Sequence, residues 1–363
     1  MKLLNQPDEA GISLPRLFNR WLWPQSPLAR YLARRLALTV VTLAGVVVVV
    51  FFVTHILPGN PAAVRAGPLA SEELIARYER ELGLDRPLYV QFADYFGALL
   101  HGDLGDSWST RQPVREELAK RLPATLELAL TAFVVALLIG VPLGILAAVY
   151  AGTWLDHAIR VFATLGASLA LFWLALVSIH IFYYELKWAP PPLDRLTIGL
   201  KAPPKVTGLF TVDSLLAGDL DTFRDAFNHL CLPALTLAFV VSAPITKMMR
   251  AALLDVLNRD FVRTAKAVGI PDHRVILVDA LRNAVIPVLT TAGIVFGYLM
   301  AGNVIVERVF AWAGIGQYAW NALKINDFNA VQGFVLLIAI AYVLINFVID
   351  LAYGIIDPRI RLG

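Results

Sequence analysis

The sequence predicts an all-α membrane protein with six transmembrane helices. Of its 363 residues, 58% are hydrophobic and 16% are charged, whereas soluble globular domains average about 25% charged residues. A helix needs roughly 20 mostly apolar residues to cross a bilayer, and six runs reach or approach that length. Residues 30–361 therefore form one membrane domain. The predicted spans are residues 36–57, 123–150, 160–184, 230–250, 284–306 and 330–353.

The first span begins directly after a basic cluster of Arg30, Arg34 and Arg35. Its apolar run from Leu36 is too long for the h-region of a secretory signal peptide, and no small-residue cleavage site follows it. The run is therefore a permanent span. Residues 1–29 form a tail whose tryptophans and arginines suit either an interfacial helix on anionic lipid or a simple anchor.

Two spans carry glycines spaced four residues apart. Gly140 and Gly144 lie in the second span, and Gly293 and Gly297 lie in the fifth. Small residues at this spacing let two helices approach closely. The pattern fits packing between helices of this chain and association with a second subunit equally well, so the sequence leaves the packing partner open.

Ionisable side chains are nearly absent from the centres of the spans. Glu127 lies near the start of the second span, Lys247 near the end of the fourth and Asp350 near the end of the sixth, each within reach of an interface. His180, in the third span, is more typical of a packed or pore-facing polar residue than of a ligand. Carriers coupled to protons or sodium usually keep ionisable groups inside the membrane. A secondary transporter is therefore the disfavoured alternative.

The loops differ in charge across the predicted membrane. The loop 255–283 is rich in Lys and Arg, and Arg359 and Arg361 follow the last span, whereas acids outnumber bases in the long loop 58–122. The positive-inside rule places basic loops in the cytoplasm. Both chain termini and the loop 255–283 are therefore predicted to be cytoplasmic, and the loop 58–122 to be external.

The sequence offers no motif for catalysis or nucleotide binding. It lacks the phosphate loop G-x-x-x-x-G-K-[ST], the zinc motif H-E-x-x-H and the nucleophile motif G-x-S-x-G. Cys231 is the sole cysteine, which excludes a disulfide within the chain and a cysteine metal site. The chain is predicted to be a non-catalytic subunit that binds no metal or cofactor and no nucleic acid.

A polar stretch, DFVRTAKAVGIPDHRVILVDALRNAVIP at 260–287, interrupts the apolar chain before the fifth span. Gly269 supplies a helix end, and Pro271 suits the first turn of a following helix. The stretch therefore predicts a helix, an elbow and a second helix. One helical face, formed by residues at i, i+3, i+4 and i+7, comprises Phe261, Thr264, Ala265 and Val268.

The first of these two helices has basic edges formed by Arg263 and Lys266, and Arg274 follows the elbow. A short helix with small residues on one face suits docking in the groove of a partner protein. An ordinary amphipathic surface loop has the same pattern, so the stretch alone does not decide between the two.

The same stretch resembles the cytoplasmic signature of ABC-importer permeases, with Ala265, Gly269, Asn283 and Pro287 at its characteristic positions. Other segments narrow the resemblance to the dipeptide, oligopeptide and nickel permease family. They include ILPGNPA at 56–62, LPATLELAL at 122–130, GILAAVYAGTWLDH at 144–157, VFAWAGIGQYAWNAL at 309–323 and VIDLAYGIIDPRIR at 348–361. The family often has histidine where this chain has Asp279, which puts one contact with a partner in doubt.

The resemblance implies a type I ABC-importer permease with six helices in the bacterial cytoplasmic (inner) membrane. A sister permease would complete a heterodimeric pathway, and two cytoplasmic ATPase subunits would use ATP and magnesium. A periplasmic or lipid-anchored binding protein would deliver solute to the external loop 58–122, where Ser71 caps a predicted helix. Coupling to the ATPases would involve Arg263, Thr264, Ala265, Lys266, Val268, Gly269, Arg274 and Asn283.

The solute implied by the resemblance is a di- or oligopeptide, with a nickel chelate or a glutathione-like solute as alternatives within the family. The fifth span is the first candidate to line the pathway, because polar side chains stand there among small residues. The candidate lining residues are Thr290, Thr291, Tyr298 and Asn303.

Overall fold

A computed structural model of the chain describes residues 27–56, 61–67, 69–81, 83–302 and 304–356. Most of these residues lie in helices, so the predicted all-α class is confirmed. The tail predicted over 1–29 lies almost wholly outside the described residues.

In chain order the α-helices are α1 (Pro27–Ile56), α2 (Pro61–Ala66), α3 (Glu72–Glu81), α4 (Leu88–Leu100), α5 (Val114–Val149), α6 (Trp154–Ser168), α7 (Leu171–Ser178), α8 (Phe210–Leu216), α9 (Leu220–Leu257), α10 (Asp260–Ala267), α11 (Asp272–Arg274), α12 (Leu281–Gly302), α13 (Val304–Val309), α14 (Ile315–Lys324) and α15 (Phe328–Ile356). The π-helical segments are Ile179–Glu185 and Val275–Ala280.

Within the described part of the chain, four helical segments are long and apolar enough to cross a membrane. Helix α1 has 30 residues, and its apolar stretch Leu36–Phe52 falls inside the predicted first span. The chain is therefore a multi-pass membrane protein, and each predicted span overlaps helical structure. The four segments are Val114–Val149, Leu220–Leu257, Asp272–Val309 and Phe328–Ile349.

The predicted third span, residues 160–184, is not one straight helix, because α6 and α7 meet at a bend of 103°. Leu169 and Ala170 have extended backbone, with ψ angles of 133° and 125°, and so interrupt the helix. Leucine and alanine are good helix formers, so the local sequence gives no signal for the break. Tertiary packing imposes it: α6 packs on α9, whereas α7 packs on both α9 and α13.

The first glycine pair lets α5 pack closely on α9. A Cβ atom added to Gly140 would lie 3.0 Å from the carbonyl oxygen of Ser242, and one added to Gly144 would lie 2.8 Å from that of Thr246. Any larger residue would force the two helices apart. The open question about this pair is answered: it packs within the chain.

The second glycine pair also packs within the chain, between α12 and α15. A Cβ atom on Gly293 would collide with the side chain of Ile349, and one on Gly297 would lie 2.5 Å from the ring of Tyr342. Since both pairs are occupied by helices of the same chain, neither is available for a second subunit.

Glu127, expected at an interface, is buried more than three turns into α5 with 4% of its surface exposed. Its carboxylate pairs with the guanidinium of Arg195, which is itself 7% exposed. Thr211 donates to the same carboxylate from its backbone N–H at 2.8 Å and from its hydroxyl at 2.7 Å. Glu127 therefore has a structural role, in which it fixes the segment between α7 and α9 onto α5.

Asp213 of α8 organises the same segment. Its carboxylate accepts hydrogen bonds from the backbone N–H groups of Val206, Thr207 and Gly208 at 3.2, 2.8 and 2.8 Å. Burial raises the pKa of Asp213, but the hydrogen bonds donated by Thr207, Gly208 and Val206 outweigh burial and leave the pKa below its usual value. The carboxylate thus fixes the backbone of residues 206–208, which have no regular secondary structure.

Candidate functional site: the exposed elbow between α9 and α12

Helix α10 has the charge order that a short helix needs for stability. Asp260 lies in its first turn and Lys266 in its last, so each charge opposes the partial charge of the nearer helix end. The hydroxyl of Thr264 donates to the carbonyl oxygen of Asp260 at 3.0 Å. The helix over residues 260–267 agrees with the periodicity of the sequence.

Gly269 ends α10 in the conformation that the sequence predicts. Its φ angle is +86°, a region that glycine adopts without the steric cost other residues meet. The N–H of Ile270 donates to the carbonyl oxygen of Ala265 at 3.1 Å, and that of Gly269 donates to Lys266 at 3.0 Å. These bonds satisfy carbonyl groups that a helix end leaves unpaired. The elbow is thereby fixed by the backbone itself.

The second arm of the elbow runs into the fifth span without a break. Pro271 precedes α11 with a φ angle of −65°, and α11 continues through the π-helical segment Val275–Ala280 into α12. Lys266 and Asp272 close the elbow with an ion pair of 3.0 Å. The π-helical geometry, which is frequent at functional sites, was not predicted from the sequence.

Most of the elbow is exposed on the surface of the chain. Val262, with 1% of its surface exposed, is the buried residue of α10. By contrast, Phe261 is 41% exposed and Val268 is 76% exposed. Two large apolar side chains therefore lie on a charged, open surface. Of the predicted coupling residues, Ala265 is half-buried, and the others, all exposed, are Arg263, Thr264, Lys266, Val268, Gly269, Arg274 and Asn283.

The structure divides this predicted set between the two arms. Arg263 to Gly269 belong to α10 and its end, whereas Arg274 closes α11 and Asn283 lies in the first turn of α12. The side-chain amide of Asn283 donates to the backbone carbonyl of Asp279 at 2.8 Å. Asn283 therefore binds the π-helical segment of its own arm.

The candidate pathway residues do not share one face of α12. Thr290 and Tyr298 are exposed and align with the exposed residues Asn283 and Ile294 at helical spacing. Thr291 is half-buried on another face, and its hydroxyl donates to the carbonyl oxygen of Pro287 at 3.1 Å. Asn303 lies outside the described residues.

The sequence reading missed an ion pair near the elbow. Arg250 of α9 donates two hydrogen bonds, of 2.7 and 2.8 Å, to the carboxylate of Asp156 in α6. Arg250 ends the predicted fourth span and Asp156 lies in the matched segment 144–157, and no local pattern relates the two. Within the described residues, no group of three or more His, Cys, Asp or Glu side chains could hold a metal ion.

Comparisons with known proteins agree on one family. Residues 140–362 match the family described as "Binding-protein-dependent transport system inner membrane component". Residues 28–129 match the N-terminal region described for the same kind of transport-system membrane component. Together the two matches cover the predicted spans except residues 130–139 of the second.

Curated relatives match over nearly their whole length. The probable D,D-dipeptide transport system permease protein DdpB of Escherichia coli is 47% identical over 324 residues, which are 89% of this chain and 95% of the relative. The di/tripeptide transport system permease protein DppB of Pseudomonas aeruginosa is 41% identical, over 91% of this chain and 98% of the relative. The glutathione transport system permease protein GsiC of Salmonella choleraesuis is 37% identical, over 92% of this chain and 99% of the relative.

Proposed function

This chain belongs to the family of binding-protein-dependent transport system inner membrane components, and from that premise we propose that it imports di- or oligopeptides as one membrane subunit of an ATP-driven importer. The single observation that carries the proposal is the exposed elbow on α10, joined without a break to a span. A transport subunit without its own nucleotide site needs such a surface, because a partner that hydrolyses ATP must bind it in order to move its spans.

The elbow surface is suited to an ATPase subunit on the cytoplasmic side. Val268 and Phe261 expose apolar area that yields roughly 25 cal/mol for each Å² removed from water. Arg263 and Lys266 pair with Asp260 and Asp272 of the elbow itself, and Arg274 is also exposed. The rim thus presents both signs of charge, which can fix the orientation of a partner with a complementary pattern. We assign ATP and magnesium to two such ATPase subunits and no cofactor to this chain.

A sister permease of similar fold would complete the pathway. The adjoining face of α12 is filled by α15 at Gly293 and Gly297, and the stripe with Thr290 and Tyr298 remains exposed for another surface. Polar side chains facing lipid are unfavourable, which supports a position of this stripe on the pathway or at the sister subunit. The exposed hydroxyl of Tyr298 can hydrogen-bond the backbone of a passing peptide.

A periplasmic or lipid-anchored binding protein would dock on the region 58–122. Helix α3 has no buried residue, and Ser71 caps it by accepting a hydrogen bond of 3.3 Å from the N–H of Leu74. Its exposed charges, including the Arg77–Glu81 pair, suit a reversible contact with a water-soluble partner. This arrangement fits a topology with both termini in the cytoplasm.

Peptides are favoured as the solute by the names of the relatives. Two of them are named for dipeptides or tripeptides, and a third is named for glutathione, itself a modified tripeptide. A glutathione-like solute and a nickel chelate are the alternatives within the family. A secondary carrier is disfavoured, since Glu127, one of the ionisable groups near the spans, serves a structural pair with Arg195.

Vesicles rebuilt with the full complex test this proposal. We expect ATP-dependent accumulation of a labelled dipeptide that requires this subunit, its sister, the ATPases and the binding protein, with no competition from free metal ions. Vesicles lacking only this chain are the control, and the purified chain alone should turn over no ATP. Accumulation of metal without peptide would contradict the peptide assignment, and ATP turnover by the isolated chain would contradict the assignment of catalysis to its partners.

A further inference from the structure

A buried ion pair ties three helices together beside the elbow. The guanidinium of Arg250 in α9 donates to Asp156 Oδ1 from Nε at 2.7 Å and to Oδ2 from Nη2 at 2.8 Å. The side chain of Asp156 is 2% exposed, and that of Arg250 is 25% exposed. Two parallel hydrogen bonds of this kind fix orientation as well as distance.

The same carboxylate also holds the turn between α5 and α6. The backbone N–H of Gly152 donates to Asp156 Oδ2 at 3.0 Å, and Gly152 has a φ angle of +81° that favours glycine. Met249, the neighbour of Arg250, packs into the space left by Gly144 of α5. Two consecutive residues of α9, Met249 and Arg250, therefore contact both the last part of α5 and the start of α6.

The pair lies on a continuous path to the elbow. Seven residues of unbroken helix separate Arg250 from the end of α9 at Leu257, which is about 10 Å at 1.5 Å for each residue. Asp260 then begins α10. Val256 and Val262, on the two sides of this short connection, are both buried. Helix α10 packs on the π-helical segment Val275–Ala280, which in turn packs on α9. A displacement of α10 therefore reaches α9 through the chain connection and through this segment.

The chemistry of the pair distinguishes it from ordinary packing. Apolar contacts could hold α6 and α9 together with equal or greater stability, because burying two charges is costly. They slide and rotate more easily, however, than a planar guanidinium bound through two hydrogen bonds. An ion pair at this position thus restricts the rotation of α9 relative to α6.

We propose that Asp156 and Arg250 are positioning residues that make α5, α6 and α9 move together when α10 is displaced. This rests on the proposed function, in which the displacement comes from an ATPase subunit. Without the pair, α9 moves with α10 while α5 and α6 lag behind, so ATP is consumed with less solute transported.

The number of solute molecules imported for each ATP hydrolysed, in the rebuilt complex, tests this role. We expect Asp156→Asn to lower that ratio at least about fivefold, at the low end of usual coupling energies, while assembly and ATP hydrolysis are retained. Asp156→Asn combined with Arg250→Gln removes the uncompensated charge of Arg250; Arg160, 3.6 Å from Asp156, is half-exposed and remains solvated. The double variant should therefore regain thermal stability but keep the low ratio. A matched control is Glu117→Gln, because Glu117 is equally buried but pairs with Arg121 of its own helix, and it should keep the ratio.

A distance measurement tests the same idea without any solute. With Cys231 replaced by serine, spin labels at the exposed positions Trp154 of α6 and Met248 of α9 report the spacing of the two helices. In the wild-type complex this distance should stay constant between the nucleotide-free and ATP-bound states, and in Asp156→Asn it should change.

Two results would overturn the proposal: a ratio unchanged in the double variant, or an equal change of the label distance in wild type and Asp156→Asn. Absence of solute uptake by the wild-type complex would contradict the proposed function instead, and the label distances would still decide the role of the pair.

Discussion

The carboxylate of Glu307 in α13 accepts a hydrogen bond of 3.0 Å from the backbone N–H of Gln317 in the first turn of α14. The same carboxylate accepts one of 2.5 Å from the hydroxyl of Thr125 in α5. Glu307 is completely buried, and a Cβ atom on Gly314 would collide with it. A carboxylate from one helix therefore caps another, and a glycine makes room for it.

Removing this cap should destabilise the protein. We expect Glu307→Ala to lower the free energy of unfolding by about 1–3 kcal/mol, because it leaves buried N–H and hydroxyl groups without an acceptor. Glu307→Gln keeps an acceptor and should cost less. Thermal unfolding in detergent measures both, and equal loss in the two variants would contradict the capping role.

Breaking the Glu127–Arg195 pair should cost more than breaking an exposed pair. Arg195 is 7% exposed and lies over the ring of Phe210 at 3.6 Å, so Glu127→Ala strands a buried charge. We expect a loss of about 3–5 kcal/mol, whereas Glu81→Ala, which removes the partner of the exposed Arg77, should cost less than about 1 kcal/mol. If chemical unfolding shows a similar loss of unfolding free energy for Glu127→Ala and Glu81→Ala, burial of the Glu127–Arg195 pair does not determine its contribution to stability.

Substitutions on α10 should separate docking from folding. Ala265→Glu places a charge on the predicted docking face, and Ala267→Glu places the same charge on the exposed opposite side of the helix. We expect Ala265→Glu to release the ATPase subunits or to uncouple hydrolysis from uptake, because an unpaired buried charge can cost several kcal/mol. Co-purification of the ATPases measures this, and normal binding by Ala265→Glu would refute the docking assignment.

Gly269→Trp tests the elbow separately. Nothing lies within 4 Å of a Cβ atom at this position, so the φ angle of +86° is the obstacle. We expect reduced transport with little change in the melting temperature of the complex. Transport at the wild-type rate would show that the elbow geometry is not needed.

Acid should weaken the loop that Asp213 organises. The pKa of this carboxyl is lower in the folded chain than its usual value, which is about 3.9 in the unfolded chain. Its stabilising contribution is therefore fully present above pH 4 and is lost as the pH falls through the lower, folded pKa. Asp213→Asn should reduce stability at pH 7 and flatten the dependence of the melting temperature between pH 5 and 3; an unchanged slope would contradict this role.

Local patterns were enough to predict several features of this protein. Apolar runs of about 20 residues indicated long apolar helices, which the structure has. Gly269 with Pro271 correctly predicted the elbow, because helix ends depend on residues within one turn. Ser71 likewise caps α3 as expected. The resemblance at 260–287 also indicated the family that the comparisons then showed.

Other features were decided by the tertiary structure, because they depend on segments far apart in the sequence. Asp156 and Arg250 are separated by 94 residues, and Glu127 and Arg195 by 68, so no local pattern pairs them. The bend between Leu169 and Ala170 arises in residues that favour helix, since α7 packs against α9 and α13. Both glycine pairs showed that a helix would approach, and only the folded chain showed that the helices were its own α9 and α15.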